Sequence, residues 1–224
     1  MAPQLALVNA SFDDANTLRN FRRELDGEVT VHDARNGAFP APSAYDGLVV
    51  TGSRASVYWE EPWIEDARAW ARDAVETATP ALGICWGHQL LADAVGGTVE
   101  PMGEYELGYR TVRHAGDPLF DGVPEAFTVF TTHSDAVTDL PDDAAVIAEN
   151  DYGTQGFRSG DVVGVQAHPE YDSETAEAVA RGKDLPDERI QAVCAGITEE
   201  AYAEARTAKR VFENFCRSTT ADDD

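Results

Sequence analysis

Lysine is almost missing from this chain. Of its 224 residues only Lys183 and Lys209 are lysine, and the other cations are arginine. Against 17 basic residues stand 41 acidic ones, a formal net charge of -24. A surface so short of positive charge repels phosphate backbones and anionic lipid, which argues against nucleic-acid and membrane partners. The acidic residues run along the whole chain, so self-repulsion opposes compaction unless salt screens it. At about 1 M salt the Debye length falls to about 3 Å, and the balance predicts a halophilic protein in a salt-rich cytoplasm.

Cysteine is scarce as well. Three cysteines, an odd number and widely scattered, exclude a disulfide framework. No apolar run is long enough to span a membrane, and the first residues, MAPQLALVNASFDD, lack the basic start of a signal peptide. There is no internal repeat and no Pro/Ser-rich linker, so residues 1–217 read as one domain and residues 218–224 as an acidic tail. No His, Cys, Asp or Glu set has metal-ligand spacing and no phosphate-binding loop occurs, so neither metal nor cofactor is expected.

What is present centres on PALGICWGHQLLADAVGG, from Pro80 to Gly97. Ala81, Leu82 and Ile84 read as the end of a buried strand, and Leu90, Leu91, Ala94 and Val95 recur at helical spacing. The pentad Gly83-Ile84-Cys85-Trp86-Gly87 between them has the form of a nucleophile elbow, with cysteine as nucleophile. Glycines flank it because a side chain in so sharp a turn would strike the neighbouring strand. The Cys85 sulfur then stands at a helix N-terminus, where backbone N–H groups favour a thiolate. A lone cysteine in an apolar run is ordinarily packing, and Cys194 and Cys216, without such flanks, are read as packing or surface residues.

Upstream, Leu5 to Val8, Val29 to Val31 and Gly47 to Thr51 read as strands, with a helix carrying Leu18, Phe21, Arg22 and Leu25 between the first two. Pro62 opens a helix whose inward stripe is Ile64, Ala67, Trp70, Ala71 and Ala74. This describes an α/β fold: an open, mostly parallel sheet with helices on both faces and the ligand crevice beyond the carboxyl ends of the strands. After Gly96-Gly97 the pattern becomes short strands: residues 98–100, 109–112, 127–131, 145–148, 156–158 and 162–166. The last third is helical, with Thr198 opening a final helix that turns Tyr202, Ala205, Ala208, Val211, Phe212 and Phe215 inward. Residues 182–196 read as an insertion near the pocket mouth.

The elbow segment resembles the nucleophile block of the class I (triad-type) glutamine amidotransferases, G-[IV]-C-x-G-x-Q. Gly164-Val165-Gln166-Ala167-His168-Pro169-Glu170 resembles the same family's G-x-Q-x-H-P-E, and two blocks in the family's order are far more specific than either alone. The resemblance covers residues 5–170 and implies a flavodoxin-like three-layer fold with Cys85, His168 and Glu170 as the catalytic triad. Thr132-His133-Ser134-Asp135 resembles the family's S-H-x-D turn beside the glutamine pocket. Together with Gly52 and Gln89, one helical turn past Cys85, the resemblance marks His133, Ser134 and Asp135 as substrate-binding. The oxyanion hole would be the backbone N–H of Trp86 and that of Ser53; in the loop Gly52-Ser53-Arg54 the family's second glycine and proline are replaced, so a simple turn is an equal reading there. His88 reads as structural.

The implied activity is hydrolysis of the side-chain amide of glutamine through a Cys85 thioester, in the cytoplasm, with ammonia passing to a separate synthetase subunit of GMP synthase type. A free-standing γ-glutamyl hydrolase acting on small γ-glutamyl compounds, resembling the γ-glutamyl peptidases, is the alternative; a catalytically silent binding module is the third reading.

Overall fold

The computed structural model describes residues 2–220. The predicted strands appear as β1 (Gln4–Asn9), β2 (Glu28–Asp33), β3 (Gly47–Val50) and β4 (Ala81–Ile84), with α1 (Asp14–Glu24), α2 (Pro62–Glu76) and α3 (Trp86–Ala94) between and after them. Each local signal has its cause. Asp13 caps α1 by accepting from the Asn16 N–H, and Pro62 occupies the first turn of α2, where its missing N–H costs nothing. The stripe Ile64, Ala67, Trp70, Ala71 and Ala74 is the buried face of α2. β3 and β4 are buried at every position, as expected of strands covered on both faces.

The sheet corrects one expectation. Its nine strands run in the order β2-β1-β3-β4-β9-β8-β7-β5-β6. The pairs from β2 to β9 (Val162–Val165) are parallel. Those through β8 (Gly153–Ser159), β7 (Ala145–Asn150), β5 (Thr98–His114) and β6 (Ala126–Asp139) are antiparallel. The sheet is therefore mixed rather than mostly parallel. The reason is connectivity: after α3 the chain runs strand to strand without a crossover helix, and only antiparallel neighbours can be joined by short links.

The expected strands at residues 98–100 and 109–112 are one long strand, β5. The expected turn at Thr132–Asp135 lies inside β6, which pairs with β5 on both sides of a register shift between Pro101 and Glu106.

One face packs β1, β3 and β4 side chains on α1 and the C-terminal helix, through Leu5, Leu7, Phe21, Val49, Phe212 and Phe215. The other packs them on α2 and α3 through Val8, Val50, Ile64, Trp70, Leu90 and Leu91. The predicted final helix is broken into α6 (Glu199–Ala205), a 3₁₀ turn at Arg206–Lys209, and α7 (Arg210–Ser218). Ala205, Ala208, Val211, Phe212 and Phe215 are buried as expected. Ser218 closes α7, and residues 221–224 of the predicted acidic tail lie outside the described residues. Before these come α4 (Ser173–Arg181) and α5 (Asp187–Ala195). α5 has no fully buried residue; of residues 182–196, expected near the pocket mouth, Gly182, Lys183 and Asp184 line the cavity that holds Cys85 and α5 does not.

Candidate active site

β4 and β9 are adjacent and parallel, with Ile84 opposite Val165. Both strands therefore stop at the same edge, with Cys85 one residue past β4 and His168 three past β9. The Cys85 N–H donates to Val165 O at 2.8 Å, which ties the turn carrying the sulfur to the strand carrying the imidazole.

Cys85 has φ 54 and ψ -104, a left-handed conformation that costs a non-glycine residue of the order of 1–3 kcal/mol. The glycines around it have the predicted reason. A Cβ on Gly83 would stand 2.3 Å from the Gly87 carbonyl, and one on Gly87 would stand 2.4 Å from Val50 O. The turn is thus packed between α3 and β3.

His168 Nδ1 lies 2.8 Å from Glu170 Oε1, and both side chains are buried. Nε2 is left to face the cavity. A Cβ on Gly52 would stand 2.9 Å from His168 Cε1 and 3.5 Å from Cys85 Cβ, so the backbone at Gly52 touches imidazole and cysteine together. Burial is the largest influence on the His168 pKa and disfavours charge. The Glu170 carboxylate and the Cys85 sulfur oppose it, and together push the group up to about 10. Tyr171 stacks on the ring, centroids 4.2 Å apart and planes 19° from parallel. A single cavity of about 310 Å³ joins Cys85 and His168 to Ser53, Gln89, His133, Ser134 and Asp135.

The expected substrate-binding residues divide by what their polar atoms already do. Gln89 lines the cavity, yet its Nε2 donates to Asp135 O at 3.1 Å and Gln166 Oε1 at 3.0 Å. Asp135 accepts from Ser56 Oγ at 2.5 Å and from the Tyr58 hydroxyl at 3.0 Å. Both nitrogens of His133 are occupied, Nδ1 by Asp135 O at 2.8 Å and Nε2 by Glu106 at 2.6 Å. Ser134 is exposed at the rim. Trp86, at the start of α3, has an N–H without an intrahelical partner, as in any first turn. Outside glycine, only Ala78 and Cys85 take positive φ among the described residues, so Ser53 has ordinary backbone, and its hydroxyl accepts from the Ala55 N–H at 3.3 Å. His88 is buried in the core against Phe157. Burial lowers it to about 3 and keeps it neutral.

Sequence reasoning missed Ser11, Phe12, Asp13 and Asn16, which line the cavity from the loop after β1. The rule that ligands bind beyond strand ends could have found them. Tyr171 was missed too, although it directly follows the H-P-E block.

The three-layer arrangement is that of known amidotransferases. A glutamine amidotransferase from Thermotoga maritima superimposes with a TM-score of 0.79 at 22% identity, over 95% of this chain and 98% of that one. One from Methylobacillus flagellatus gives 0.80 at 22% identity, over 97% and 95%.

In sequence, the family model "Glutamine amidotransferase class-I" matches residues 15–181. The chain is 36% identical over 127 residues to the glutamine-hydrolysing GMP synthase of Thermosipho africanus, covering 55% of this chain and 24% of that one. It is 33% identical over 151 residues to the Staphylococcus aureus (strain JH9) enzyme, covering 66% and 28%. The chain belongs to the class I glutamine amidotransferase family, and spans about a quarter of the length of those curated relatives.

Proposed function

We propose that this chain hydrolyses the side-chain amide of glutamine with Cys85 as nucleophile, His168 as acid and base, and Glu170 as the group that orients His168. The observation that carries the reading is the fixed imidazole: Nδ1 is held by Glu170 at 2.8 Å, and Gly52 brings the other side of the ring and Cys85 to one point.

The Cys85 thiol gives its proton to His168 Nε2 as the sulfur bonds to the amide carbon, and the carbonyl π electrons move onto oxygen. The backbone N–H groups of Trp86 and Ser53 receive that oxyanion; one such donor is typically worth about 2.7–4 kcal/mol. When the oxyanion collapses, the C–N bond breaks and His168 Nε2 gives its proton to the leaving nitrogen. Water then adds to the γ-glutamyl thioester while His168 takes a proton from it, and the C–S bond breaks to release glutamate. Gln89, His133, Ser134 and Asp135 form the wall against the rest of the substrate. His133 serves there through its ring carbons and backbone, since its nitrogens are engaged.

Ammonia would pass to a separate acceptor enzyme. The likeness to glutamine-hydrolysing GMP synthases supports an acceptor of that type, and the net charge of -24 supports a salt-rich cytoplasm as the setting. A free-standing γ-glutamyl hydrolase is the second reading, favoured by a cavity that extends from Cys85 to Lys183.

The test is Cys85→Ser, assayed for ammonia and glutamate release in multimolar KCl. We expect activity to fall by at least about 10³-fold with an unchanged thermal midpoint. Turnover equal to wild type would remove Cys85 from the reaction. Failure of the wild-type protein to form a covalent adduct with a glutamine-like electrophile would favour a silent module.

A further inference from the structure

Glu170 holds the imidazole, and something must hold Glu170. Its carboxylate gives Oε1 to His168 Nδ1 at 2.8 Å, while Oε2, buried, has no hydrogen-bond partner among the described residues. Its backbone has little local support. Pro169 before it has no N–H, and the turn closes on the Tyr171 N–H donating to His168 O at a long 3.3 Å. The carboxylate is only as well placed as the peptide that carries it.

That peptide is gripped from α1. Arg23 Nη2 donates to the Glu170 carbonyl oxygen at 2.6 Å, and Nη1 donates to Asp172 at 2.9 Å, two residues on. Two acceptors side by side on one short turn suit the flat guanidinium fork. The fork is itself fixed from its own helix, since Nη1 also donates to Asn20 Oδ1 at 3.0 Å and Nε to Glu24 at 2.5 Å. Asp172 in turn caps α4 by accepting from the Thr175 N–H at 2.8 Å. α1 is anchored in the core by Phe21, edge-on to Phe212 with ring centroids 5.9 Å apart.

Arg19, one turn earlier on α1, supplies a contrast. It pairs with the same Asp172 at 3.0 Å and with Glu174 at 3.1 Å, on partly exposed surface where such pairs contribute little. What Arg23 has beyond Arg19 is a charge-assisted bond to the backbone of the residue that orients His168.

We infer that Arg23 is a positioning residue for the amide hydrolysis: it fixes the Glu170 peptide so that the carboxylate meets His168 Nδ1, and acts on kcat through Glu170. The inference rests on the Cys85, His168 and Glu170 chemistry above. Arg23 is not among the residues that line the cavity with Cys85, so its loss should leave substrate binding unchanged.

The experiment measures kcat and KM for glutamine hydrolysis in Arg23→Ala, Arg23→Lys and Arg19→Ala, alone and combined with Glu170→Ala, at one KCl concentration. Arg23→Ala should lower kcat by about tenfold, the loss of one hydrogen bond to a charged group, with KM within about twofold of wild type. Arg23→Lys, with one nitrogen in place of the fork, should lose part of that factor, and it carries the test should Arg23→Ala not fold. Arg19→Ala should stay within about twofold of wild type. Once Glu170→Ala is present, adding Arg23→Ala should lower kcat by no more than about twofold further, because no carboxylate remains to be placed. An equal fall in both backgrounds overturns the inference, since it assigns Arg23 to the fold at large. So does a fall in Arg19→Ala equal to that in Arg23→Ala, or a loss expressed in KM.

Proton NMR of the His168 Nδ1–H separates the placement from the chemistry. The signal should move or broaden in Arg23→Ala and not in Arg19→Ala, and this outcome upholds the placement even in a chain that does not turn over glutamine. A signal unchanged in Arg23→Ala overturns it.

Discussion

His168 and His133 are both buried, and each faces a buried carboxylate: Glu170 at 2.8 Å and Glu106 at 2.6 Å. They differ in what their second nitrogen does. His133 Nδ1 is bound to Asp135 O, while Glu106 also accepts from Asn150 at 2.7 Å and Gln155 at 3.1 Å. With a backbone carbonyl on one side of the ring and a carboxyl on the other, His133 has no nitrogen to spare. His168 keeps Nε2 toward the cavity and Cys85. Pairing a histidine with an acid thus ties the ring wholly into the fold or leaves one nitrogen toward a cavity, according to whether the other nitrogen is taken.

His168→Asn gives the largest expected effect. Activity should fall by about 10³-fold or more, measured where the variant is still folded; a variant within tenfold of wild type would erase the distinction. Glu170→Gln should lower kcat by about 10²-fold, since the ring loses its orienting acceptor. A larger effect on KM than on kcat would contradict an orienting role.

Glu106→Ala should act mainly on the fold. Removing one partner of a buried pair costs about 3–5 kcal/mol, which in a domain of this size lowers the midpoint by about 10 °C. A calorimetric midpoint equal to wild type would show that the second pair supports nothing.

The smaller test uses pH. His168 is raised to about 10 in the fold. Its contribution is present in full below the ordinary value near 6.5 and is lost as pH climbs toward 10. His88, lowered to about 3, works in reverse: the fold is at full advantage above 6.5 and loses it as pH falls toward 3. Urea midpoints measured across this range should decline on both sides, and His168→Asn should flatten the alkaline side alone. Smallest of all, Tyr171→Phe should keep the stack on His168 and leave kcat within about threefold, whereas Tyr171→Leu should move the pH profile of kcat.

Much of the parallel half was legible from residues. The stripe on α2 has helical spacing, β3 and β4 are continuous apolar runs, and the elbow needs its glycines for steric reasons confined to five residues. The antiparallel half was not. β5 has an irregular burial pattern, seven of its seventeen positions being exposed, and two register shifts, so no period of two persists to mark one long strand. The second pair also left no trace in sequence, because Glu106 and His133 meet only through the pairing of β5 with β6. That Cys85 and His168 share one cavity, with Glu170 beside the imidazole, was legible through the two motif blocks.

The single hydrogen bond from the Cys85 N–H to Val165 O has a further meaning for motion. The turn that holds the sulfur is one rung of the ladder that ends beneath the imidazole, so opening that rung by heat or denaturant displaces Cys85 and His168 at once. Amide exchange at residue 85 should accordingly be as slow as in a strand interior, and inactivation should coincide with the parting of β4 from β9 rather than with fraying of β5 and β6.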